Sequence, residues 1–484
     1  MSKEYPNIVP QGEKTQDLGT AEKRWNKAYV GAIDADAAAG GLKEDIDNRA
    51  TKAELARVEG LVENAAGPNF YEESEAFYDA SQHRGANTEI ISPEILWLNI
   101  NGGGYKLNKS ITLDVSDHSV WDTKATKWQP DTAYTAGDRV YPTGGTVGYV
   151  YICMTAGTSS TLTPSWPTTV GDTYNDGSVV WQCALDYAYA ANRAGMDFYI
   201  YACVGETPLI PELVVSVNST VPAGYTAATS RKIGGFHCLC VAVGTITNHP
   251  LSDYVAGDIL PCSIWDINHR PIGSPEGYAY DEGTDMWYSI YGLTWSGSFG
   301  SATATMAGQA DDDDLTLESK YAAEWADGAS AEKWHCYKFE QILARQKQRL
   351  LYQREFVSAS LGSNQSTNIQ GSSDHGTTGG HVDTAGRRMI SNIGLEDCCG
   401  DHWQWGADVG NGPTSWNPSN SYDANDKYAA GQWGGTVYRA LLGGAWVDGA
   451  VCGSRGSSWY HGALSLGAGY GARGASEPLH RRTI

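Results

Sequence analysis

Charged side chains are scarce in this chain of 484 residues, with Asp, Glu, Lys and Arg together at 19%. Few are basic. The formal net charge of -22 argues against nucleic acid as a partner and against binding to an anionic membrane. Long apolar runs are missing too, so no segment reads as a membrane-spanning helix and no membrane insertion is expected. The first residues, MSKEYPNIVPQ, have no apolar stretch of the kind a secretory signal needs. Ten cysteines occur, none in CxxC spacing; apart from Cys238/Cys240 and Cys398/Cys399 they are scattered singly. That distribution fits buried reduced thiols better than a zinc site or a disulfide framework.

Phenylalanine is rare, at 7 residues, and aromatic area comes from 28 Tyr and 17 Trp instead. Aromatics with a polar end suit rigid recognition surfaces, and they suit the strands of a β-rich protein equally well. Glycine is abundant, at 57 residues, and densest in the stretch Arg439–Leu479, where Leu441, Leu442, Trp446, Trp459, Tyr460 and Tyr470 interrupt it as apolar anchors. The length calls for several domains.

Taken in order, the chain divides into six parts. Residues 1–39 contain DLGTAEKRWNKAYVGAI, a segment that resembles one common near the N-termini of phage tail fibres, which implies attachment to tail or baseplate proteins. Residues 40–67 are bracketed by Gly40-Gly41 and Gly67 and place Leu42, Ile46, Ala53, Leu55, Val58 and Val62 at three- and four-residue steps. They read as a short, irregular coiled coil, or as an amphipathic helix packed on its own chain. Residues 68–120 and 184–205 give strand patterns at Glu94–Ile100, Gly104–Leu107, Ile111–Val115 and Phe198–Val204, with a turn at NGGG. Residues 206–260 continue as a sandwich-like segment and 261–484 form the last domain. Within the latter, helix patterns fall in 333–361, one carrying Tyr337, Ile342 and Leu343 and the next Phe356 and Val357, while Trp403 and Trp405 alternate on one side of a strand. Asp311–Asp314 read as a solvated loop, because adjacent carboxylates diverge. His375 and His381, with Asp374 and Asp383, lie on an irregular stretch where their spacing says little about a metal.

Between the halves of the third part lies an insert, residues 121–183, with W-x6-W-x-P-x3-Y-x2-GD-x-V, GYVYIC, P-x-W and NDGSVVWQC. Its regular turns indicate a small all-β module, and it looks like the carbohydrate- or cell-wall-binding modules of chitinases and phage tail proteins. Trp128, Tyr134 and Trp166 are candidates for stacking on sugar rings. The competing reading makes them, with Tyr149 and Trp181, the core of a module too small to spare a large side chain.

GYTAATSRKIGGFH (Gly224–His237), SIWDINHRP (Ser263–Pro271), MWYSIYGL (Met286–Leu293), RLLYQREF (Arg349–Phe356), HWQWG (His402–Gly406) and GGAW…GSR…WY…GARG (Gly443–Gly474) follow one another in an order and spacing that resemble the tropism-determinant family of Bordetella phage tail fibres. These are variable proteins diversified by retroelements. The resemblance covers about 90–120 and 184–479; the coiled coil and the insert depart from it. It implies a mostly β fold with some α: a trimeric coiled coil, a β-prism and β-sandwich middle carrying the inserted module, and a C-terminal C-type lectin fold. It implies a homotrimer at the distal end of a tail fibre in the virion, adhering to a bacterial cell-surface protein or glycan receptor without enzymatic activity or cofactor.

The variable positions of that family fall on Ala445, Val447, Asp448, Gly449, Val451, Ser458, Tyr460, His461, Ser465, Gly467, Gly469 and Tyr470. All obey the family's NNY codon restriction, which encodes no Lys, Glu, Gln, Met or Trp. The resemblance implies that these side chains face outward, while Trp446, Trp459, Arg455 and Arg473 are buried anchors, the arginines needing acceptors such as backbone carbonyls. Alternatives are a cellular retroelement-diversified ligand-binding protein, a lectin-fold oxidase of the formylglycine-generating type, and a polysaccharide-cleaving tail spike. The oxidase would need a reactive thiol, but Glu396, Asp397 and Asp401 surround Cys398-Cys399 with negative charge. The tail spike would show β-helix repeats, which are not evident.

Overall fold

A computed structural model describes residues 86–479 except 95, 108, 143–146, 206–210, 241, 293, 297–302, 306–335, 360–368, 371–379, 382–389, 400–402, 411–415, 418–430, 434–437, 446–452 and 466–469. The attachment segment 1–39, the coiled coil 40–67, Asp311–Asp314, His375 and the side chain of His381 therefore lie outside the described residues. The fold is mostly β with few helices.

The first core begins with β1 (Glu89–Ile91), β2 (Leu96–Ile100), β3 (Gly103–Leu107) and β4 (Thr112–Asp114). Alternation in LWLNI buries Leu96, Leu98 and Ile100 on one face of β2. The β2–β3 turn is the dipeptide Asn101-Gly102, both at positive φ (49° and 83°), as the tightest hairpin connection demands. These strands pack on Phe198, Ile200, Val215, Ile233 and Phe236 from the later sheet, so the two sequence-separated parts share one core. Trp121 belongs to this core as well: its ring lies edge-on to Phe198 at 5.1 Å and its backbone bridges to Val215.

The insert follows as β5 (Thr126–Lys127), β6 (Ala133–Tyr134), β7 (Arg139–Tyr141), β8 (Tyr149–Thr155), β9 (Gly157–Thr158), β10 (Thr173–Asp176) and β11 (Val179–Leu185). Five of these form one sheet in the order β10-β11-β8-β7-β5. A core of its own holds Trp128, Tyr134, Val140, Tyr151, Cys153, Trp166, Val179, Trp181 and Cys183. Asp176 organises it: Oδ2 accepts from the indoles of Trp128 (2.9 Å) and Trp181 (3.0 Å), and Oδ1 from Ser160 N (2.8 Å). Burial raises the pKa of Asp176, but these donors outweigh it and hold the carboxyl below its usual value.

After α1 (Ala190–Arg193) the chain returns to a four-stranded sheet, β13 (Glu212–Ser216), β12 (Asp197–Cys203), β14 (Ser230–His237) and β15 (Trp265–Asp266), in that order. At its end His237 is buried between Asp197 Oδ1 (2.9 Å from Nδ1) and the hydroxyl of Tyr291 (2.8 Å from Nε2). That chain of polar contacts joins the middle sheet to the last domain.

The last domain comprises β16 (Tyr278–Asp281), β17 (Met286–Ser289), β18 (Thr294–Ser296), β19 (Thr303–Thr305), α2 (Cys336–Arg345), β20 (Arg349–Leu350), α3 (Gln353–Ala359), β21 (Ile369–Gln370), β22 (Gly380–His381), β23 (Trp403–Gly410), β24 (Trp416–Asn417), β25 (Gly431–Trp433), β26 (Tyr438–Leu442), β27 (Ser457–His461), β28 (Tyr470–Ala472) and β29 (Gly474–Ser476). Two sheets dominate, β16-β17-β29-β20 and β24-β25-β27-β26-β23-β28. Helix α2 buries Cys336, Phe339 and Leu343, at helical spacing, against Trp403 and Trp405. Tyr337, expected on that inner face, points outward. Trp403 and Trp405 do share one side of β23, and both are buried. None of the nine described cysteines is in a disulfide, and eight are buried.

Candidate functional site

The glycine-rich stretch enters the six-stranded sheet through β26, which lies between β27 and β23 and buries Ala440, Leu441 and Leu442. It leaves β26 through Gly443 and Gly444, at φ 92° and 91°. A Cβ on Gly443 would stand 2.5 Å from the carbonyl oxygen of Cys398, so both the conformation and the space select glycine there.

Further along, β28 pairs in parallel with β23, and β29 crosses into the other sheet between β17 and β20. Arg473 joins the two. Its Nε donates to Gln404 Oε1 (3.1 Å), Nη1 to the carbonyls of Ser289 (2.5 Å) and Ile290 (2.8 Å), and Nη2 to the carbonyl of Glu396. At 1% exposure it is a fully buried cation satisfied by backbone oxygens and one amide. Trp459, expected to be buried, is only half-buried; its indole donates to Ser457 Oγ (3.2 Å).

On the outer side a row of rings runs across the sheet. Tyr438 and Tyr460 stack at 6.0 Å with planes 11° apart. Tyr460 meets His461 edge-on at 5.6 Å, His461 meets Tyr470 at 5.2 Å, and Tyr470 rests edge-on against buried Trp405 at 5.6 Å. The Tyr470 hydroxyl is 3.1 Å from His461 Nδ1. Burial lowers the pKa of His461, so the ring is neutral near pH 7 and takes part in that hydrogen bond as a neutral group. Tyr460 is 44% exposed, and Leu464, three residues after His461, is exposed as well. Across the end of β26, Arg439 pairs with Glu340 (2.8 Å) and lies over the ring of exposed Tyr337 at 5.9 Å. The face offers ring surfaces, hydroxyls and one neutral imidazole, a set suited to adhesion.

Of the expected outward-facing residues, Tyr460, His461, Ser465 and Tyr470 are exposed or half-buried. Two are corrected. Ala445 is 2% exposed and packs beneath α2 with Trp403 and Trp405; Ser458 is 3% exposed because it stands opposite Leu441, on the sheet face that carries that core. Val447, Asp448, Gly449, Val451, Gly467 and Gly469, with the anchor Trp446, lie outside the described residues. In the insert, Trp128, Tyr134 and Trp166 are core residues and no stacking platform: Trp166 stacks on Tyr151 at 4.1 Å and meets Trp128 edge-on, and Tyr134 lies edge-on to Trp181 at 4.9 Å. Tyr438, Tyr337 and Leu464 were not anticipated. The first two lie before Gly443, and only the strand and helix registers bring them to this face.

Comparison with known proteins gives three findings. The family profile described as the Mtd second domain matches residues 168–266. The tail fiber receptor-binding protein of Bordetella phage BPP-1 is 31% identical over 304 residues, 60% of this chain and 73% of that protein. Among solved structures, the Major Tropism Determinant M1 variant is 23% identical with a TM-score of 0.42, covering 78% of this chain and 90% of that one. The P3c variant is 22% identical with a TM-score of 0.43, covering 84% and 100%.

Proposed function

This chain belongs to the family of phage tail-fibre receptor-binding proteins, and we propose that it is a tropism determinant that adheres to a receptor on a bacterial surface through the outer face of its last domain. The observation that carries the choice of face is the ring row Tyr438–Tyr460–His461–Tyr470, held on a sheet whose anchor, Arg473, is wholly buried. A fixed backbone with exposed side chains at its surface lets specificity change while the fold persists. Tyr460, His461 and Tyr470 are the main contacts in this reading, and Ser465, Val447, Asp448, Gly449, Val451, Gly467 and Gly469 are proposed as further contacts. Ala445 and Ser458, being buried, act through the backbone they support.

The same reading takes the last domain as a C-type lectin fold, the chain as a homotrimer at the distal end of the fibre, residues 1–39 as the tail attachment and 40–67 as the coiled coil. Many weak sites on one particle would then gain by avidity. Adhesion rather than catalysis is supported by the relative, which is named for receptor binding. The test is adsorption of the purified protein to a panel of bacteria. On a strain that binds it, Tyr460→Ala and Tyr470→Ala are each expected to reduce binding at least about tenfold, a loss of roughly 1.4 kcal/mol per site. Full binding by a folded double variant would move the receptor site elsewhere.

A further inference from the structure

Where the insert meets the four-stranded sheet, the surface opens into a cleft of about 380 Å³ lined by Asp122, Lys124, Thr126, Tyr134, Asp138 and Arg139, among others. That volume lies within the range of small-molecule sites, about 300–1,000 Å³. Asp122 is fixed from the sheet side, its Oδ2 accepting from Ser216 Oγ (2.5 Å) and Ala223 N (2.8 Å). Asp138 Oδ2 accepts from Thr135 N (2.7 Å). Each carboxylate leaves Oδ1 without a donor among the described residues. Lys124 is engaged by Glu212 at 2.6 Å. Arg139 is different: it is half-buried on β7, and its guanidinium makes no hydrogen bond among the described residues. Burial lowers its pKa and the Asp122 charge partly restores it, the balance expected of a cation that borders the cleft with an acid nearby.

The cleft thus holds unspent donors and unspent acceptors side by side. An anion would meet Asp122 and Asp138, and a cation would meet Arg139 and Lys124. A hydroxyl both donates and accepts, so a ligand made of hydroxyls satisfies both sets. We propose that this seam binds a neutral sugar residue, with Arg139 donating to ring or hydroxyl oxygens and the Oδ1 atoms of Asp122 and Asp138 accepting from hydroxyls. The site works by hydrogen bonding at a domain junction; of the buried insert aromatics only Tyr134 borders it. It is independent of the C-terminal face.

Saturation-transfer NMR and titration calorimetry on the full chain test this, with glucose, galactose and N-acetylglucosamine as probes and glucuronate and inorganic phosphate as ionic controls. At least one neutral sugar is expected to bind in the millimolar range, more tightly than either control. Arg139→Gln and Asp138→Asn should each weaken it about tenfold. Asp138 is exposed, so its variant decides the matter should Arg139→Gln fail to fold. Saturation transfer to none of the three sugars, tighter binding of phosphate or glucuronate, or unchanged affinity in the folded variants would overturn the assignment.

Discussion

Replacing Arg473 by methionine keeps most of the stem and removes every donor. Four acceptors lose a partner: the carbonyls of Ser289, Ile290 and Glu396, and Gln404 Oε1. They do not all become orphans, because Ile290 O still accepts from Glu396 N (2.8 Å). Up to three buried acceptors are left, each worth roughly 1–3 kcal/mol when stranded. Against this, the native fold no longer has to desolvate a guanidinium. The balance is a loss of about 4 kcal/mol, a large part of the stability of an ordinary domain. Arg473→Lys keeps a point charge but not the planar fork and should lose about half as much. Because the chain holds several cores, the readout should be local: hydrogen exchange followed by mass spectrometry, comparing peptides from β17, β23, β26 and β28 with peptides from the insert. The four strands should exchange faster and the insert should not change. A drop of less than about 1 kcal/mol in the opening free energy of those strands, or a uniform effect across the chain, would refute the view that one guanidinium ties the two sheets together.

Two further outcomes are expected. Asp176→Ala strands the indole N–H groups of Trp128 and Trp181 inside the insert and should destabilise that module by about 2–4 kcal/mol, read as faster exchange in β8, β10 and β11 alone. Acid should weaken the fold well before the carboxylates titrate: burial holds His461 and His249 below their usual pKa and His269 down at about 3. The unfolded chain takes up these protons first, so the stability is fully present above about pH 6.5 and falls as pH drops from there toward the folded values; thermal midpoints measured from pH 7 to pH 4 should decline, and a flat profile would contradict the burial of these rings.

Where residue type forces one conformation, the sequence was legible. Asn101-Gly102 fixes a hairpin, LWLNI alternates about a strand, and the regular turns of the insert mark a small β module. Aromatic residues were harder to read, because Trp and Tyr serve cores and surfaces alike. Trp166 and Tyr460 look equivalent in a sequence, yet one is stacked under Tyr151 and the other stands exposed on an inner strand of its sheet. The difference comes from what covers the face of the sheet at each residue, a long-range property. Ser458 shows the same limit: a small polar residue two positions from exposed Tyr460 is buried because it stands opposite core residue Leu441. Tyr438 escaped notice because it reaches the candidate face through pairing with residues some twenty positions away.

The position of β29 between β17 and β20 has a consequence for how the chain is made. Trp287 pairs with Ser476, and Gly474 with Leu350, so the middle of that sheet is supplied by residues translated long after both of its flanks. A nascent chain that has emerged only as far as β20 holds a sheet with a gap at its centre and exposed ladder edges on either side of it. The insert and the first cores can fold while synthesis continues, but the last domain must wait for β29, which makes it the slow, aggregation-exposed step in folding the chain.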